Sequence, residues 1–137
     1  MIITAPLRTS DKWGSGWYGA PRGHGSHNGV DVACYKGSII HSNVSGKVTK
    51  IGYPYPPSDP KKGHFRYVEI ETSDNWKHRT FYVDPLVKVG DYVTKGDKIG
   101  KSQGLTDIWP GMTDHIHYEI KVLKDDKWTF IDPTNHV

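Results

Sequence analysis

His115-Ile116-His117-Tyr118-Glu119-Ile120-Lys121-Val122 reads as one β-strand, and the rest of the chain takes its meaning from it. His115, His117 and Glu119 alternate with Ile116, Tyr118 and Ile120, and successive strand side chains point to opposite faces. One face is therefore apolar, and the other carries two imidazoles and a carboxylate. Such a strand needs a sheet around it, and the neighbouring sequence supplies one. Tyr67-Val68-Glu69-Ile70-Glu71 alternates in the same way, residues 75–77 read as a turn, and residues 79–83 pair back as a hairpin strand. Residues 29–33 read as a short strand carrying Asp31. Residues 36–52 give brief apolar runs broken by glycine, the sign of short strands and tight turns. Val87-x-x-Gly90-Asp91 recurs as Val93-x-x-Gly96-Asp97, a repeat of turn grammar and not of a solenoid.

The segments between are loops. Residues 53–62 hold four prolines, and residues 105–113 form another Gly/Pro loop. Residues 1–26, rich in Gly, Trp, Tyr and Pro, read as an ordered loop. No stretch keeps a helical period over three turns. The expected fold is all-β: a compact antiparallel β-sheet groove, or barrel-sandwich hybrid, with long loops. It is read as a single domain over residues 1–137, with a loop-rich segment 1–26, a motif-bearing core 27–122 and a short tail 123–137.

Composition removes several classes. At 137 residues the chain can build a core without staples. Cys34 is the one cysteine, so neither an internal disulfide nor an all-cysteine metal site can form; it reads as a small buried apolar residue. The net charge of +3 is mild and the lysines are scattered, which argues against nucleic acid as a partner. No apolar run approaches the ~20 residues of a membrane span. The first residues lack the pattern of a secretory signal. The chain is expected to be monomeric, and to be made without a signal unless one has been removed.

The chemistry gathers on two pieces. In His27-Asn28-Gly29-Val30-Asp31 an imidazole and a carboxylate four residues apart can converge on a small cation. Either this spacing or a His-x-His pair is a weak signal alone. Together, His27, Asp31 and His117 form a two-histidine, one-carboxylate set suited to zinc with one position open. Zinc so held makes a water acidic enough to attack at neutral pH. His115, on the same strand face as His117, is placed to pass a proton or stabilise an oxyanion. His24, His41, His64, His78 and His136 have no such partners in sequence and read as surface or loop histidines.

The His27–Ala33 run, the Gly-Asp-x-Val-x-x-Gly-Asp-x-Ile-Gly run and His115–Ile120, in that order over roughly residues 20–122, resemble the lysostaphin-type zinc metalloendopeptidases. The resemblance implies a small β-sheet groove, one Zn2+, and cleavage of peptide bonds in bacterial peptidoglycan. It implies His27, Asp31 and His117 as zinc ligands and His115 as a catalytic histidine. The family usually has a second catalytic histidine two residues after a tyrosine; in Phe81-Tyr82-Val83-Asp84-Pro85 that place holds Asp84. Tyr82 and Asp84 are thus candidate catalytic or oxyanion helpers, with Asp84 expected to be turned away by Pro85 and Tyr82 or a loop histidine left to donate; Trp17, Tyr18 and Trp109 are candidate groove residues. A phage endolysin or other wall-lytic enzyme is the expected setting, made in the host cytoplasm and reaching the wall after holin-type release. The missing histidine and the Trp109-Pro110-Gly111-Met112 lead-in also resemble the leukocyte-derived chemotaxin branch, which implies a non-catalytic zinc-binding signalling module as the alternative.

Overall fold

The structure, a computed structural model, describes Arg8, Gly14, residues 16–22 and residues 25–136. The strands, in chain order, are β1 (Pro21–Arg22), β2 (Gly25–Ser26), β3 (Val30–Ala33), β4 (Ile39–His41), β5 (Gly46–Gly52) and β6 (Tyr67–Glu71). Then follow β7 (Trp76–Phe81), β8 (Val83–Pro85), β9 (Tyr92–Val93), β10 (Lys98–Ser102), β11 (His115–Lys124) and β12 (Lys127–Ile131), with a 3-10 turn at Thr134–His136. The fold is all-β and antiparallel, as the alternation predicts.

Among the described strands three sheets result. The large one runs β12-β11-β7-β6-β5-β9, with β3 also paired to β11; the small one runs β4-β10-β8; β1 and β2 form a ribbon. That ribbon lies inside the stretch expected to be loop. β11 is the spine. β7 lines one of its edges, while β3 covers residues 115–118 and β12 covers residues 120–124 of the other. Its alternation is as expected: Ile116, Tyr118 and Ile120 enter the core, and His117 lies partly exposed on the opposite face. The core joins those residues to Val30, Val32, Val48, Val68 and Ile70 of the large sheet and to Ile40, Val83 and Ile99 of the small one. It therefore fills the space between the two sheets and leaves the polar face of the large sheet for chemistry.

Three boundaries differ from expectation, each for a local reason. The turn falls over residues 73–75 and not 75–77: Asn75 has φ 65°, and Thr72 N–H donates to the Trp76 carbonyl at 2.9 Å, so β7 begins at Trp76. The strand expected over residues 79–83 is broken at Tyr82, whose φ is 70°, and Val83 crosses into the small sheet. β11 continues to Lys124 because Asp125 and Asp126, at φ 52° and 62°, make the two-residue turn whose twist suits a hairpin, and β12 pairs back on it.

His78 is not the surface or loop histidine expected. It sits in β7 at 5% exposure, between Trp76 and Tyr118, and the Tyr118 hydroxyl donates to its Nδ1. Burial, with help from the His136 charge, pushes its pKa from 6.5 down to about 4. The unfolded chain therefore binds more protons than the folded one between those values. The stability contributed by the neutral ring is complete above 6.5 and drains away as pH falls through that window. Denaturant titrations at neutral pH and near pH 4 are expected to show this loss, and His78→Gln is expected to reduce it. An equally steep loss in His78→Gln would rule out the buried ring as its source.

Candidate metal centre

The site follows from strand register. β3 and β11 run antiparallel with Asp31 directly opposite His117, and directly opposed residues share a face. His27 approaches from the chain leading into β3, its backbone held between Gly19 N–H and the Ala20 carbonyl, where it accepts from the first and donates to the second, both at 2.9 Å. Gly29 permits the final approach. A Cβ there would stand 2.2 Å from the Tyr118 carbonyl oxygen and 3.0 Å from the His117 ring.

Three atoms then converge. His27 Nε2 lies 2.9 Å from His117 Nδ1, and Asp31 Oδ1 lies 3.0 Å from each of them. The far nitrogens are already engaged: His27 Nδ1–H donates to the Trp17 carbonyl at 3.0 Å, and His117 Nε2–H donates to Glu119 Oε1 at 2.9 Å. These bonds fix the tautomers and aim both imidazole lone pairs, with a carboxylate oxygen, at a single point. Three electron-rich atoms at that spacing require a positive charge between them. Ligands of a tetrahedral zinc about 2.0 Å from the metal stand ~3.3 Å apart, so a spread of a few tenths of an ångström would seat the ion. The donor set fits a divalent cation with nitrogen and oxygen ligands, and the three residues could hold one.

Without a metal, protons answer the same demand. Burial alone would raise the Asp31 carboxyl, but hydrogen bonds with His117 and His27 and the charge of His115 outweigh it and hold it well below the usual range. Burial alone would lower His117, but Asp31 and Glu119 pull it up to about 9.

Beside the triad opens a cavity of about 400 Å³. His115, Tyr82 and Arg8 line it near the triad, and the aromatic rings of Tyr55, Phe81 and Trp109, with Pro54 and Met112, make the rest of the wall. His115 Nδ1–H donates to the Thr113 carbonyl at 2.6 Å, so the lone pair sits on Nε2, which is 3.4 Å from Asp31 Oδ2. Burial lowers its pKa, against the opposing pull of Asp31. Tyr82 meets the His115 ring edge-on, with centroids 5.9 Å apart, and its hydroxyl lies 3.3 Å from that of Tyr55. Burial raises the Tyr82 phenol well above its ordinary value, so it stays a donor. The backbone of Tyr82 is pinned from both sides, N–H to the Arg66 carbonyl and carbonyl to Gln103 N–H.

Of the remaining candidate residues, three lie away from the cavity. Asp84 is exposed and faces a separate cleft with Lys36, His64 and Lys101, because the positive φ at Tyr82 breaks the alternation that would have put residues 82 and 84 on one face. Trp17 and Tyr18 do not line the cavity: Trp17 is 51% exposed and contributes its carbonyl, while Tyr18 packs against the core. Trp109 does line it. Cys34 is half-buried, and burial raises its thiol, which suits the inert role expected. Glu119 and Gly29 carry site roles the spacing argument did not assign; period-two alternation from His117 points to Glu119, and nothing local points to Gly29.

The model of peptidase family M23 matches residues 25–133. The chain belongs to peptidase family M23. Among M23-type relatives it is 32% identical over 113 residues to leukocyte cell-derived chemotaxin-2 of Mus musculus, covering 82% of this chain and 72% of that one. It is also 32% identical to myeloid protein 1 of Gallus gallus over 85% of this chain, but 35% of that longer protein. The catalytic domain of the antimicrobial peptidase lysostaphin from Staphylococcus simulans superposes with a TM-score of 0.63 at 26% identity, covering 93% of this chain and 90% of that domain. The catalytic domain of the prophage-encoded M23 protein EnpA from Enterococcus faecalis shares the fold, with a TM-score of 0.65 at 21% identity, over 96% of this chain and 92% of that one. The resemblance to both M23 branches is thus borne out. No helix among the described residues is long and apolar enough to cross a membrane.

Elemental analysis of the purified protein is expected to find a bound metal ion. It should be lost when His27 and His117 are both replaced by Ala, and also in Gly29→Ala, where all three ligands remain but the added methyl meets the Tyr118 carbonyl oxygen. Full metal content in Gly29→Ala would show that the close approach is not needed.

Proposed function

We propose that this chain is a zinc-dependent endopeptidase that hydrolyses peptide bonds in bacterial peptidoglycan, with His27, Asp31 and His117 as the ligands. The observation that carries the reading is the open cavity beside the triad, with a neutral histidine and a protonated tyrosine on its wall. Membership of M23 and the superposition on lysostaphin support it. Zinc bound there would supply a Lewis acid for the scissile carbonyl and a water acidified towards neutral pH.

The remaining work falls to side chains of this chain. Glu119 and the Trp17 carbonyl hold the imidazole protons away from the ion, so that both rings stay ligands. His115 Nε2 accepts a proton in the cavity and returns it to the leaving amine; Asp31 Oδ2 stabilises the imidazolium in between. Tyr82 donates its phenolic proton as a hydrogen bond to the developing oxyanion, in place of the histidine that this branch of the sequence lacks. Asp84, in its separate cleft, takes no part.

A second reading has its own support. The 32% identity to chemotaxin-2 proteins, over 82% and 87% of this chain, favours a non-catalytic zinc-holding binding or signalling module. Purified peptidoglycan fragments separate the two. On the first reading, incubation releases new amines, seen by mass spectrometry and abolished by a chelator; intact fragments at high protein concentration establish the second. His115→Ala is expected to lose turnover with metal still bound. Tyr82→Phe is expected to slow turnover by roughly 10²-fold, the scale of a lost oxyanion donor. Asp84→Ala is expected to keep it. If Asp84→Ala is as inactive as His115→Ala, the assignment of roles on the cavity wall is wrong.

A further inference from the structure

Asp31 answers three demands with two oxygens: Oδ1 serves the metal point, and Oδ2 is shared by Arg8 and, at 3.4 Å, by His115 Nε2. Oδ1 faces His27 and His117, at 3.0 Å from each. Oδ2 receives Arg8 Nη1–H at 2.9 Å, with Arg8 4% exposed and Asp31 2% exposed. The main chains are joined as well: Arg8 N–H donates to the Asp31 carbonyl at 2.7 Å, and Asp31 N–H donates to the Gly16 carbonyl at 2.8 Å. Gly16 lets these segments close. A Cβ there would stand 2.6 Å from that of Arg8 and 3.2 Å from that of Asp31.

We propose that Arg8 is a positioning residue of the metal centre, which reserves one oxygen of Asp31 for the cation and keeps the other away from it. The proposal rests on the metal-site reading above and adds a reason for the geometry. A carboxylate is free to coordinate through one oxygen or two. In a small site, the second oxygen would add a fifth ligand and crowd the position that substrate or water must occupy. A guanidinium does not deprotonate in proteins, so its charge-assisted bond to Oδ2 persists across the working pH range. It also holds the carboxylate plane in one orientation, and the backbone bond from Arg8 to Asp31 fixes where that guanidinium sits. An ordinary buried ion pair, merely fastening the Arg8 segment to β3, would stabilise the fold but leave the coordination number unchanged without it.

The test uses cobalt, whose visible absorption is intense in four-coordinate sites and several-fold weaker in five-coordinate ones. Co2+ is titrated into the metal-stripped full chain and into Arg8→Gln and Arg8→Lys, with circular dichroism confirming folding. The wild type is expected to give four-coordinate bands. Arg8→Gln is expected to lose the four-coordinate band intensity as Oδ2 joins the ion as a fifth ligand, together with a tenfold or larger loss of Co2+ affinity of the kind that follows removal of a ligand's orienting partner. Arg8→Lys, which still donates a charged hydrogen bond, is expected to keep the four-coordinate spectrum. An unchanged spectrum in folded Arg8→Gln overturns the role of Arg8 and leaves the metal site standing. A wild type that takes up no Co2+ overturns the metal-site reading and this proposal with it. If Arg8→Gln does not fold, a crystal structure of the zinc-loaded wild type decides: one Asp31 oxygen on the metal supports the proposal, and two overturn it.

Discussion

The placement of Asp31 directly across from His117, on adjacent antiparallel strands, is the constraint on which the rest of the site depends. It puts a carboxylate and an imidazole on one face at a separation set by the sheet and not by side-chain flexibility. His27 then needs only a short approach to complete a triangle of electron-rich atoms. Such a triangle is unfavourable without a cation or a proton inside it, and the surrounding contacts are best understood as arrangements that preserve it. The Trp17 carbonyl and Glu119 occupy the outer imidazole nitrogens, and the absent side chain of Gly29 removes the steric obstacle.

The polar face of the large sheet continues outward from this point. The next row across the strands is Glu119, Arg79, Glu69 and Lys50, in register on β11, β7, β6 and β5. Glu69 is almost fully buried, and it accepts from Arg79 Nε at 2.6 Å and from Thr49 Oγ1 at 2.9 Å. Opposite charges alternate along this row, so a polar sheet face can be packed without leaving a buried carboxylate unpartnered. Beyond it, Lys77 lies over the Trp128 ring and Lys121 over that of Phe130. The two faces thus differ in kind: one is a hydrocarbon core shared with the small sheet, the other a charge-compensated floor leading to the metal ligands.

Much of this was legible in the sequence, because period-two alternation is a local property. The alternation of His115, His117 and Glu119 with Ile116, Tyr118 and Ile120 predicts both the strand and its two faces. The convergence of His27, Asp31 and His117 rests on family resemblance more than on spacing, since 86 residues separate Asp31 from His117. What could not be read was non-local or conformational. Nothing in the amino-acid order announces that Tyr82 adopts a left-handed backbone, and that angle turns Asp84 away from the cavity where Pro85 was expected to do so. The burial of His78 depends on Trp76 and Tyr118 closing around it, and the contact of Arg8 with Asp31 spans 23 residues with no pattern between.

β11 is flanked on one edge by β3 and β12 placed end to end, and the two pairings differ greatly in the length of chain they enclose. The hairpin to β12 closes through two residues, whereas pairing with β3 closes a loop of more than eighty. Loop-closure entropy makes the first fast and local, and the second late and dependent on a sheet already formed. A cation bridging His27 and Asp31 to His117 would act as a clasp on that seam, so that occupancy of the centre and closure of this long loop become one linked equilibrium.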